Sequence, residues 1–94
     1  MFIRLEGPDG SGKSMQIRAL SDYIRGMGYE VLTTREPGGT FIGDQIREVI
    51  MRLDNTSMNP RTEILLFCAA RAQIVAEVIR PQLAKGVVVI SDRY

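Results

Sequence analysis

The sequence predicts an α/β fold with a parallel β-sheet, and three observations predict it. A short strand-like run, Phe2 to Glu6 (FIRLE), passes at once through a glycine-rich turn into a helical apolar stripe. Near the other end, Val87 to Ile90 (VVVI) is continuously apolar and β-branched, as expected of a strand buried on both faces of a parallel sheet. Between these runs the pattern reads β-α-β-α-α-β, which calls for right-handed crossovers.

Each element has its own signal. After Phe2–Glu6 and the turn GPDGSG, the period changes from Lys13 onward: Ile17, Leu20, Ile24 and Met27 stand at i, i+3, i+7 and i+10, one helical stripe. Gly26 and Gly28 end that helix. Tyr29 to Thr34 (YEVLTT) is β-branched enough for a second strand, and the loop REPGGT, Arg35 to Thr40, follows it. A helix from about Ile42 to Leu53 carries Ile46, Val49, Ile50 and Leu53 on one face. Asn55 to Asn59 is a polar connection. Asn59 is an N-cap and Pro60 a first-turn proline for a long helix that Pro81 kinks and that ends near Gly86. The third strand then delivers Asp92, Arg93 and Tyr94 at its carboxyl end. A chain stopping there, just past a central strand, predicts the N-terminal portion of a longer protein.

Composition narrows the function. The chain has 94 residues, 45% hydrophobic and 24% charged, with net charge +1, which fits one soluble globular domain. Near-neutral charge argues against nucleic acid or a membrane surface as partner, and no apolar run approaches the ~20 residues of a membrane span. The start lacks the layout of a signal peptide. The one cysteine, Cys68, permits no intrachain disulfide and reads as a small core hydrophobe in a reducing compartment, the cytoplasm. The absence of His excludes Ser-His, Cys-His and His-metal chemistry within this chain. Ten of the 12 basic residues are arginines, which suit bidentate grips on phosphates but on helix surfaces are usually just solvated. Met15, Met27, Met51 and Met58 show no grouping and read as packing residues.

The strongest motif is Gly7-Pro8-Asp9-Gly10-Ser11-Gly12-Lys13-Ser14, which fits G-x-x-x-x-G-K-[ST] between a strand and a helix. Glycines let backbone N–H groups converge as an anion nest, and the helix N-terminus adds about half a positive charge. Lys13 reaches the β/γ-phosphates of a bound nucleotide in such a loop, and the Ser14 hydroxyl joins a Mg²⁺ shell; the alternative is a glycine-rich turn with a solvated lysine. Asp92, after the VVVIS run, has the form of a carboxylate at a strand end that organises Mg²⁺ and its waters. Phe67 and Arg71, at i and i+4, share a helix face. They read either as a platform that stacks on a nucleobase and bonds its edge or, more simply, as a core Phe beside a surface Arg.

FIRLEGPDGSGKS, REPGGT, LLFCAAR and SDRY, in this order, resemble the bacterial thymidylate kinases. The resemblance runs from Phe2 to Tyr94 but covers only about the N-terminal half of such an enzyme. It implies a P-loop nucleoside-monophosphate-kinase-like three-layer α/β sandwich, residues 1–94 forming one domain that contains the first three strands of its parallel sheet. The implied activity is ATP-dependent phosphorylation of dTMP to dTDP with Mg²⁺. The implied ATP site is Gly7, Pro8, Asp9, Gly10, Ser11, Gly12, Lys13 and Ser14, with Ser14 and Asp92 serving the metal. On the dTMP side, Asp9 bonds the 3′-hydroxyl, Glu36 sits beside the acceptor phosphate, and Arg47 and Arg93 grip that phosphate. Phe67 stacks on thymine and Arg71 bonds its edge. Lys13, Arg47 and Arg93 are the implied catalytic residues.

The resemblance also implies a homodimer through the two helices between strands two and three. Two departures stand out. Met15 replaces the usual Thr after the P-loop Ser, which removes a hydroxyl near the α-phosphate. Gly10 stands where some relatives carry arginine, as in members that supply catalytic arginines from a later lid segment. Two other readings remain open from the sequence: a nucleoside or nucleotide kinase with a different base choice, and a phosphate-binding module without turnover.

Overall fold

A computed structural model of the chain describes residues 1–6 and 12–93, Arg93 by its backbone alone. Strand β3 (Val88–Arg93) lies between β1 (Phe2–Glu6) and β2 (Val31–Glu36) in a parallel sheet of order β1-β3-β2. The register pairs Ile3 with Ile90 and Leu5 with Asp92 on one side, and Thr34 with Ser91 and Glu36 with Arg93 on the other. Val87 to Ile90 are each no more than 5% exposed, as the continuous apolar run predicts for a strand covered on both faces. Each such buried Val or Ile contributes roughly 1.5–3 kcal/mol.

Alternation along β3 builds three layers. Val88 and Ile90 pack on Ile24, with Ile17 and Leu20, from α1 (Lys13–Gly26). Val89 points the other way, onto Ile74 and Ile79. That second layer is one long helical run: α3 (Pro60–Ile74), a π-helical turn (Val75–Ile79) and α4 (Arg80–Ala84). Asn59 caps α3 by accepting from the Arg61 N–H at 2.8 Å, and Pro60 occupies its first turn, as the sequence predicts. The expected kink at Pro81 takes the form of the preceding π turn. Pro81 has no N–H to continue the ladder, and the Arg80 N–H reaches five residues back to the Val75 carbonyl.

Three expectations shift. β2 runs from Val31 to Glu36 rather than from Tyr29 to Thr34, because pairing with β3 continues through Arg35 and Glu36 although their side chains carry no strand signal. α2 (Phe41–Met51) starts at an N-cap, Thr40, whose hydroxyl accepts the Gly43 N–H at 2.8 Å. Its expected stripe is only half covered: Ile46 and Ile50 are half-buried, while Val49 is exposed and Leu53, beyond the helix end, is 96% exposed. Met27 likewise leaves the α1 stripe, because it is the exposed C-cap, and Met15 is also exposed.

Candidate functional site

The carboxyl end of β3 sends consecutive side chains to opposite faces of the sheet. On the α1 face, the Lys13 ammonium lies 2.6 Å from Oδ1 of Asp92, with Lys13 only 5% exposed. Gly12 precedes it as the N-cap of α1 at φ +82°, a conformation that glycine adopts without strain. The first turn of α1 carries no acidic residue, which leaves the positive helix end uncompensated from its own sequence. Ser14 and Asp92 wall one depression of about 280 Å³ with Ile17, Thr33, Thr34 and Arg35.

This donor set fits Mg²⁺. One hydroxyl and one carboxylate are hard oxygen ligands, and the ion keeps several waters and completes its shell with phosphate oxygens. Among the described residues no group of three or more His, Cys, Asp or Glu side chains could hold a metal alone.

On the opposite face, Glu36, Pro37, Phe67, Cys68 and Arg71 line a cavity of about 80 Å³. Ligand pockets usually enclose about 300–1,000 Å³, so this one suits a single ring rather than a whole nucleotide. Glu36 is 5% exposed and doubly held: Arg71 Nε donates to Oε1 at 3.0 Å and the Ser91 hydroxyl donates to Oε2 at 2.8 Å. A carboxylate this buried requires such partners, since an unpaired one would be strongly disfavoured. The helical spacing of Phe67 and Arg71 brings both to the cavity, as expected of a shared face. Phe67 is half-buried against the cavity rather than sealed in the core.

The segment between β2 and α2 shapes one edge of this site. After the cis Glu36–Pro37 bond, Gly38 and Gly39 adopt φ +117° and +86°. A Cβ on Gly39 would overlap the buried Ile74 side chain, and one on Gly38 would lie 2.6 Å from Asp44 Oδ1. That carboxylate accepts the Gly39 N–H at 3.0 Å, and Arg47 Nη1 donates to the Pro37 carbonyl at 3.0 Å. Arg47 is thus drawn to the loop that bounds the cavity.

Lys13, Ser14 and Asp92 come together on one face, and Glu36, Phe67 and Arg71 on the other, with Arg47 beside the second group. Gly7, Pro8, Asp9, Gly10, Ser11, Tyr94 and the side chain of Arg93 lie outside the described residues. Cys68 corrects an expectation: it is exposed and lines the cavity, because the helix turns it with Phe67 toward the open side. Sequence reasoning missed Ser91 and Pro37. Strand parity holds the signal for Ser91, since it shares the face of Val89 and lies one residue before Asp92.

With this geometry in place, comparison with known proteins is specific. The family model described as thymidylate kinase matches residues 5–94. A thymidylate kinase of Exiguobacterium sp. strain AT1b is 52% identical over 94 residues, covering all of this chain and 44% of that protein. One from Roseiflexus castenholzii is 55% identical, covering all of this chain and 41% of that protein. The crystal structure of thymidylate kinase from Ehrlichia chaffeensis superposes with a TM-score of 0.84 at 36% identity, covering all of this chain and 53% of that one. The chain thus spans under half the length of these two curated relatives.

Proposed function

Because the chain belongs to the thymidylate kinase family, we propose that the protein carrying it transfers the γ-phosphoryl group of ATP to dTMP, yielding ADP and dTDP. The observation that carries this reading is the division of labour at the end of β3. A lysine–aspartate pair lies at a helix N-terminus on one face, and a ring-sized cavity with an aromatic and a guanidinium lies on the other.

The chemistry suits these residues. An oxygen of the dTMP phosphate attacks the γ-phosphorus, and the bond from that phosphorus to the β,γ-bridging oxygen breaks, leaving its electrons on ADP. The nucleophile is already ionised, so no general base is required and the absence of His costs nothing. The obstacle is bringing two polyanions together. Lys13 leaves its pairing with Asp92 for the β/γ-phosphates, while Arg47 and Arg93 hold the acceptor phosphate. Gly7 to Ser14 cradle ATP, and Asp9 bonds the nucleotide sugar. Ser14 and Asp92 would hold Mg²⁺ with ATP, and the ion would supply neutralisation of phosphate charge. Phe67 stacks on thymine and Arg71 donates to its carbonyl edge.

The protein acts as a cytoplasmic homodimer; among the described residues no helix is long and apolar enough to cross a membrane. Exposed Phe41, Ile42, Val49 and Leu53 on and after α2, with Ile64 and Leu65 on α3, supply an apolar face for the second copy. The direct test is turnover of ATP and Mg²⁺ with dTMP, dCMP and thymidine by the protein carrying this chain. Preference for dTMP is expected. Equal turnover of dCMP would assign another base choice, and binding without turnover would leave a phosphate-binding module.

A further inference from the structure

Ser91 has no part in the chemistry above, yet it is fully buried at the end of the central strand with its hydroxyl 2.8 Å from Oε2 of Glu36. The contact is diagonal: Ser91 pairs in register with Thr34, and Glu36 lies two residues further along β2 on the same face. Arg71 grips Glu36 unevenly, with Nε 3.0 Å from Oε1 but Nη2 3.5 Å from Oε2. Ser91 supplies the shorter bond to the second oxygen, and Arg71 Nη2 the longer one. A guanidinium has five N–H donors. With two of them facing Glu36, three remain for a ligand in the cavity that Arg71 lines.

We propose that Ser91 is a positioning residue for base recognition: its hydroxyl fixes the rotation of the Glu36 carboxylate, and that carboxylate aims the free donors of Arg71 into the cavity. The inference rests on the dTMP reading above and deepens it. Without the Ser91 hydroxyl, Oε2 is a desolvated acceptor with one near donor, Nη2 of Arg71. One long bond satisfies a desolvated oxygen poorly, so the guanidinium closes on the carboxylate as a symmetric two-bond pair. That movement turns the three remaining N–H groups away from a pyrimidine carbonyl edge. Ser91 thereby keeps the ion pair open on the ligand side.

The test is a double-mutant cycle in the protein carrying this chain. Steady-state kinetics for dTMP, dCMP and ATP are measured in wild type, Ser91→Ala, Arg71→Ala and the double variant. Ser91→Ala is expected to lower kcat/KM for dTMP by about five- to tenfold, mainly through KM, as loss of one well-aimed hydrogen bond implies. It also narrows the dTMP-over-dCMP ratio and leaves KM for ATP unchanged. In the Arg71→Ala background the same change adds nothing further. A Ser91→Ala protein with the wild-type ratio overturns the inference while the dTMP reading stands, as does an equal loss in both backgrounds. A wild-type protein without dTMP turnover overturns both.

Discussion

Ser91 and Asp92 are neighbours on β3, yet Ser91 Oγ donates to Glu36 on one face of the sheet and Asp92 Oδ1 pairs with Lys13 on the other. One peptide unit therefore links the Lys13 side to the cavity side. Strand geometry makes this unavoidable, because successive side chains must leave opposite faces. The two sites proposed to meet across a transferred phosphoryl group are thus anchored on the most buried strand of the fold.

Lys13→Ala is expected to cut phosphoryl transfer to dTMP by at least about 10²–10³-fold while the protein stays folded. The cost in stability is about 1–3 kcal/mol, because Asp92 loses its cation but its side chain keeps 23% exposure to water. Turnover and thermal unfolding measured on the same preparation check both halves. Near-normal transfer would remove Lys13 from the mechanism.

Arg93→Lys conserves charge but is expected to raise KM for dTMP by about tenfold or more, since a lysine cannot form the two parallel bonds of a guanidinium. The companion measurement is affinity for thymidine against dTMP in wild type. Equal affinities would show that the acceptor phosphate is not gripped by Arg47 and Arg93.

Phe67→Ala and Arg71→Ala should differ in kind. Stacking on an aromatic face is worth roughly 1–3 kcal/mol per base and is tolerant of base identity. Phe67→Ala therefore weakens dTMP and dCMP alike, by about ten- to a hundredfold. Arg71→Ala narrows the preference for dTMP over dCMP, because a guanidinium only donates and cytosine presents an amine where thymine presents a carbonyl. Monophosphate titrations decide it; an unchanged preference in Arg71→Ala would leave the arginine as a partner of Glu36 alone.

Gly39→Ala should destabilise the protein by about 2–4 kcal/mol, combining left-handed strain with overpacking against Ile74. Gly28→Ala is the control: its φ is +93°, but nothing lies within 4 Å of an added Cβ, so only about 1–2 kcal/mol is lost. Urea unfolding midpoints compare the two. Equal losses would mean that the close approach to Ile74 relaxes without cost.

Sequence signals alone sufficed for β1 to the residue, the start and end of α1, the Asn59–Pro60 entry to α3 and the doubly covered third strand. These signals are local: a cap, a period or a glycine acts on backbone within four or five positions of itself. The motif from Gly7 to Ser14 and the spacing of Phe67 and Arg71 were legible for the same reason. Packing between distant elements set the extension of β2 through Glu36, the opening of Cys68 onto a cavity and the exposure of Val49 and Leu53. The network at Glu36 is the clearest case, since its partners Arg71 and Ser91 lie 35 and 55 residues away along the chain. No pattern of neighbours encodes such a meeting, because it exists only once the parallel register of β2 on β3 and the packing of α3 over that face bring the three side chains within hydrogen-bonding distance.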